Sequence, residues 1–195
     1  MERAPEQQVA LVHVHPLGRA RGRRGVAGRP EVARQRLGDG GHARLAQQLE
    51  DVVGERRVDV EVQATGGATC FVIVGLGDKA VAESRECVRA AFSGLGLALP
   101  AKHLVVNLAP ADLPKEGSHY DLPIALGLLA AMEVIPPSAL DGWAAMGELS
   151  LDGSIVKVAG ALPAAVGAGA LGLGLICPES CGAEAAWAGE IGRAH

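Results

Sequence analysis

LVVNLAPADLPKEGSHYDLPIALG, Leu104 to Gly127, is the stretch whose reading decides the fold. A β-branched run ends at Asn107. A loop rich in proline and charge follows, Ala109 to Tyr120, and Asp121 then opens an apolar run from Leu122 to Met132. The change of pattern reads as strand, loop and buried helix. Asp112, Lys115, Glu116, Ser118, His119 and Asp121 sit between the two apolar elements, with Asn107 at the end of the strand. These seven residues form the candidate contact loop, because a loop held between rigid elements is a common seat of function. Asp121 suits a helix N-cap, with Pro123 tolerated in the first turn. Ser118, His119 and Asp121 are near neighbours in sequence, where adjacent side chains point apart and form no relay unaided. Lys115 and Glu116 read as a solvated pair.

Toward the N-terminus, Val81, Val88, Ala91, Phe92 and Leu95 form one helical stripe within Lys79 to Leu95, with Glu83, Glu86 and Arg89 on the other side. Gly94, Gly96 and Pro100 end it. Before it, CFVIVG (Cys70 to Gly75) reads as a fully apolar strand. VDVEVQ (Val58 to Gln63) alternates as a half-buried strand does, and Thr65-Gly66-Gly67 turns between the two as in a hairpin. Toward the C-terminus, Pro136-Pro137 stops the buried helix. Leu149 and Leu151, Asp152-Gly153, then Ile155 and Val158 read as a hairpin with a two-residue type I′ turn. A Gly/Ala-rich helix follows at Leu162 to Leu171, then a strand at Leu173 to Pro178. Glu179 starts a helix that EIGRAH does not complete, so residues 188–195 read as a truncated tail.

Charge divides the chain. Residues 1–57 hold eleven Arg, no Lys and seven acids, a balance of +4; residues 58–195 carry −8. The stretch Arg19 to Pro30 is an Arg/Gly run that cannot bury a face. A short helix is compatible with Ala43 to Val53. Residues 1–57 are therefore expected to be a basic arm, disordered or foreign to the domain, in preference to a nucleic-acid-binding element. His13 and His15 alternate as on a strand but lack a third metal ligand. The remainder is 58–187, one domain. Hydrophobic residues make up 49% of the chain and aromatics 3%, so Leu, Val, Ile and Ala must build the core. The net charge of −4 argues against a nucleic-acid coat. Four scattered cysteines, no secretory signal and no bilayer-length apolar run point to a reducing cytoplasm and no membrane.

Gly75-Leu76-Gly77-Asp78-Lys79-Ala80 fits the dinucleotide fingerprint G-x-G-x-x-A between strand and helix. Asp78 sets a negative charge where phosphate would lie, and no acid follows about 20 residues on. The preceding strand also reads as the second of a hairpin, not the first of a βαβ unit. A glycine turn capping a helix is the favoured reading; a nucleotide-binding module at Gly75–Ala80 remains a rival. There is no P-loop signature, and Cys177-x-x-x-Cys181 lacks a second ligand pair for zinc. No catalytic, cofactor or metal residue is assigned.

The segments VDVEV, FVIVGL, KAVAESRE with VRAAF, VNLAPADLPKEGSHYDLPIALGLLAA and GELSLDGSIVKVAGALPAA resemble the ComM/YifB family of magnesium-chelatase-like AAA+ ATPases, over about Val58 to Trp187. The likeness is to the N-terminal, Lon-protease-like domain of that family. Gly77 stands where the family usually has Pro, Cys87 where it usually has Arg, and the residues before Val58 are unlike its opening strand. The resemblance implies an α/β, ribosomal S5 domain 2-like (Lon-protease-like) fold: a mixed sheet of five or six strands with helices mainly on one face. It implies a missing AAA+ module that would bring ATP and magnesium. It also implies a homo-oligomeric ring of sister subunits and a link to DNA branch migration in natural transformation, with DNA as a candidate partner. A Lon-type protease activates Ser with Lys; the Ser position aligns with His119 and the Lys position with Leu162. The domain is thus expected to be non-catalytic, serving assembly or substrate contact. An active Lon-like Ser/Lys peptidase, with Ser118 one residue off the aligned position and Lys157 in the hairpin strand, is the other rival; it needs a Ser/Lys pair in contact near the loop.

Overall fold

The computed structural model describes residues 11–16, 57–111, 115, 117–188 and 192–193. The fold is mixed α/β. A seven-stranded sheet has the order β3-β4-β2-β1-β5-β8-β9: β1 Leu11–Pro16, β2 Arg57–Thr65, β3 Cys70–Val74, β4 His103–Ala109, β5 Trp143–Ala145, β8 Gly174–Cys177 and β9 Gly192–Arg193. A separate hairpin pairs β6 Glu148–Leu149 with β7 Ile155–Val156. The helices are α1 Asp78–Gly94, α2 Asp121–Ala131, α3 Ala161–Ala170 and the short α4 Gly182–Ala185.

Four expectations about the sheet and its layers are corrected. Order does not begin at Val58: Leu11–Pro16 forms a strand in the middle of the sheet, parallel to β2 and antiparallel to β5. Its surroundings are so rich in Arg and Gly that a six-residue strand shows no sustained period. Residues 17–56 lie outside the described residues. The second correction concerns VDVEVQ and CFVIVG, which are not a hairpin. β4 lies between them, antiparallel to β2 and parallel to β3, so β3-α1-β4 is a βαβ unit. A Gly-Gly turn fixes the reversal of the chain, not which strand becomes the neighbour. Third, the sheet has seven strands, not five or six.

Fourth, the helices divide between the two faces. Val58, Val60 and Val62 of β2 share a face with Phe71 and Ile73 of β3 and with Leu104, Val106 and Leu108 of β4, and α1 and α2 cover it. Register carries the alternation across the sheet: Asp59 on the opposite face partners His13, which partners Ala144, which partners Leu175. Ala144 and Leu175 pack with Ala161, Ala164 and Ala168 of α3. Cores therefore form on both sides, at opposite halves of the sheet. β3→β4 and β5→β8 also join strands of the same direction and step the same way across the sheet. With α1 and α3 on opposite faces, the two crossovers are of opposite hand, and one of them is the uncommon left-handed kind.

α2 is apolar on all sides, and eight of its eleven residues are buried, as such a helix must be. α1 and α3 each close with a left-handed glycine, Gly96 (φ +70°) and Gly172 (φ +70°). After α1, the Leu97 N–H reaches the Phe92 carbonyl and the Gly96 N–H the Ser93 carbonyl, the Schellman pattern. α2 closes by the same two bonds, Val134 to Leu129 and Glu133 to Ala130, but with Glu133 at φ +59° in the glycine position. The Asp-Gly hairpin is present with a different turn. The Gly153 N–H reaches the Ser150 carbonyl, Gly153 has φ +87°, and the Ser150 N–H reaches the Ser154 carbonyl. That is a three-residue loop closed by a left-handed glycine, not a two-residue type I′ turn.

Candidate functional site

The loop between β4 and α2 is fastened at its second half to the segment entering the hairpin. The Gly147 N–H donates to the His119 carbonyl at 3.0 Å, and the Leu122 N–H donates to the Gly147 carbonyl at 3.0 Å. The approach at Gly147 is tight: a Cβ would lie 3.0 Å from Leu122 Cδ2 and 3.1 Å from Ile155 Cγ2.

Asp121 is the centre of the junction. It is 1% exposed; the Ser84 hydroxyl of α1 donates to its Oδ1 at 2.5 Å, and the Leu149 N–H of β6 donates to its Oδ2 at 3.3 Å. It is not the N-cap expected of it: Tyr120 holds that position, and Asp121 is the first helical residue, reaching sideways to tie α1, α2 and β6 together. Burial raises its pKa. The two hydrogen bonds pull it back, and the charges of Glu148 and Glu83 raise it further. The Ser118 hydroxyl donates to Glu148 on β6. Cys87 of α1 lies in the same field, and its thiol is raised by burial and by Asp121, Glu148, Glu83 and Glu86.

His119 stacks on the Tyr120 ring at 4.2 Å between centroids. Its Nε2 is buried with no hydrogen-bond partner among the described residues, and burial lowers its pKa to about 4. Burial raises the Tyr120 phenol. Lys115 is 5% exposed and its ammonium donates to the Pro110 carbonyl, so it is buried and not solvated as expected from sequence. Asn107 lies apart from this junction and donates from Nδ2 to Glu61 Oε2 at 3.0 Å, across the β2–β4 register. Asp112 and Glu116 lie outside the described residues.

The fold thus brings Ser118 and Asp121 together with Ser84, Cys87 and Glu148, three residues the sequence reading did not select as partners. One signal was available for Ser84. It falls at the stripe position between Val81 and Val88 on α1, and a hydroxyl on an apolar stripe needs a buried acceptor. Glu148 carried no such mark.

At the glycine turn, the βαβ unit removes one objection to the dinucleotide reading. Packing nevertheless accounts for Gly75: it has φ +98°, and a Cβ there would lie 2.4 Å from the Leu108 carbonyl oxygen. Leu76 packs against the core. Cys177 and Cys181 are buried in the second core, where the Cys181 thiol faces the Val158 carbonyl at 3.4 Å. The backbone N–H of Leu162 at the start of α3 donates to Glu184 Oε1 at 3.2 Å. Among the described residues no group of three or more His, Cys, Asp or Glu could hold a metal ion, and no helix is long and apolar enough to cross a membrane.

These features define a mixed α/β domain whose loop between β4 and α2 is pinned by the buried carboxylate of Asp121 and the half-buried one of Glu148. Residues 60–180 match the family model of subunit ChlI of Mg-chelatase. The chain is 42% identical over 127 residues to the YifB protein of Salmonella typhimurium, covering 65% of this chain and 25% of that protein. It is 46% identical over 108 residues to YifB of Escherichia coli, covering 55% and 21%. With competence protein ComM of Haemophilus influenzae it shares 44% over 111 residues, covering 57% and 22%. The chain belongs to the ComM/YifB family of Mg-chelatase ChlI-like proteins. It spans a quarter or less of the length of these relatives.

Proposed function

We propose that this chain is the Lon-protease-like, ribosomal S5 domain 2-like N-terminal domain of a ComM/YifB-type AAA+ ATPase, without catalysis of its own. It serves assembly or substrate contact for a cytoplasmic, homo-oligomeric ring. ATP and magnesium belong to the AAA+ module, and the work of the whole is on DNA, as in branch migration. The observation that carries the non-catalytic reading is the state of the loop. The Ser118 hydroxyl is engaged by a carboxylate, and the lysine nearest in sequence, Lys115, is buried against the Pro110 carbonyl. A serine nucleophile needs a base that can take its proton toward an attack. Ser118 and Asp121 instead fasten the end of the loop to β6 and α1.

Two assays test this. The 195-residue chain, incubated with casein and with a fluorogenic peptide library, is expected to give no turnover that Ser118→Ala changes; Ser118-dependent hydrolysis would instead establish the peptidase. Mixed with a separately produced AAA+ module of a ComM/YifB protein, ATP and magnesium, the chain is expected to co-elute with the ring. Saturable ATP binding by the chain alone, abolished by Gly75→Ala in a variant that still folds, would favour the nucleotide-binding module.

A further inference from the structure

We infer that the outer edge of β3 is a self-pairing surface, through which two copies of this chain join their sheets about a two-fold axis at Val72. β3 ends the sheet, and β4 is its one partner among the described residues. The Cys70 N–H donates to the Lys102 carbonyl at 3.3 Å. In a parallel ladder the N–H and C=O of one residue point the same way, and the direction alternates along the strand. Cys70, Val72 and Val74 therefore turn toward β4, and Phe71 and Ile73 turn both backbone groups outward. No backbone hydrogen bond outside the ladders reaches Phe71 or Ile73 among the described residues.

Natural edges carry charge, proline or a bulge against such pairing. This one carries no proline and no charged residue from Val62 to Gly77. On its open face Val74 is 46% exposed, Cys70 is exposed and Val72 is half-buried.

A second copy is the occupant that matches on every count. Antiparallel pairing centred on Val72 sets Phe71 opposite Ile73 of the copy, in hydrogen-bonded pairs that satisfy all the outward groups. Val72 then meets itself and Cys70 meets Val74 in the close, non-hydrogen-bonded positions. Every side chain that meets is apolar, so the strand carries nothing that repels itself. Such a contact is isologous and closes on two copies, whereas a ring needs a head-to-tail contact. The pairing is thus separate from the ring assembly proposed above and stands if that reading fails.

The test uses the 195-residue chain in sedimentation velocity. A monomer–dimer equilibrium is expected. Val72→Lys and Val72→Glu should each be monomeric, because like charges are set face to face across the axis. An equimolar mixture of the two should recover the dimer mass. Val74→Cys supplies an independent trap: mild oxidation should give a covalent dimer through Cys70, and adding Cys70→Ser should abolish it. A wild-type chain that is monomeric up to its solubility limit would overturn the inference. So would a dimer that Val72→Lys leaves intact, a charge-swapped mixture that stays monomeric, or a Val74→Cys variant that does not cross-link.

Discussion

Asp121 and His119 are buried in opposite senses and give stability opposite dependences on pH. The folded chain raises the Asp121 pKa, so the ionised carboxylate weakens the fold at neutral pH, and the penalty is relieved as pH falls through the raised value toward 3.8. His119 is held neutral with a pKa of about 4 against 6.5 unfolded, so its contribution is complete above pH 6.5 and is lost as pH falls from 6.5 to 4. Urea titrations across that range should separate the two. Asp121→Asn keeps both bonds, accepting from Leu149 N–H and donating to a rotated Ser84 hydroxyl, and should remove the gain on acidification. Asp121→Ala strands both donors and should cost about 2–3 kcal/mol in the same titrations. His119→Phe replaces an unpartnered nitrogen with carbon; it should add about 1 kcal/mol at pH 7 and flatten the loss between pH 6.5 and 4. The position of Asp121 was partly legible, since a charged residue opening an apolar helix invites a structural role; its burial and that of His119 were not. The partners were not: Ser84 lies 37 residues and Leu149 28 residues from Asp121, and only the packed fold brings them within reach.

At the scale of elements, left-handed positions are the sensitive points. Glu133 holds φ +59° where Gly96 and Gly172 do the same task after α1 and α3. Glu133→Gly should therefore stabilise by about 1 kcal/mol, read from the urea midpoint at unchanged slope. Gly75→Ala should cost about 2 kcal/mol or more by the same measurement, because the new Cβ meets the Leu108 carbonyl in a strand that cannot shift alone. Helices and strands with a clear period were legible within a residue or two. α1 was expected over Lys79 to Leu95 and found at Asp78–Gly94, and the Gly/Ala-rich helix was expected over Leu162 to Leu171 and found at Ala161–Ala170. What escaped was whatever the local pattern does not encode. β1 is short and set in Arg-rich sequence, and the hairpin turn type depends on a hydrogen bond from Gly153 back to Ser150.

Across the whole molecule the two cores differ in substance. The core under α1 and α2 is built from Val, Leu, Ile, Phe and Tyr120, whereas the one under α3 is largely Ala and Cys. Smaller side chains remove less apolar surface from water. Amide hydrogen exchange should therefore release α3 and β8 before β2 and β4, at a lower opening free energy. Neighbour order and the face each helix covers were not readable from the sequence, because alternation along one strand says that a face is buried, not what buries it.

The opposite hands of the two crossovers bear on ancestry. Copying a strand–helix–strand unit copies its chirality, since hand is a property of the unit and survives any later change of side chains. The opposite hands of β3-α1-β4 and of β5-α3-β8, with its inserted β6–β7 hairpin, therefore argue against one duplicated segment. No internal repeat is then expected between residues 70–109 and 143–177.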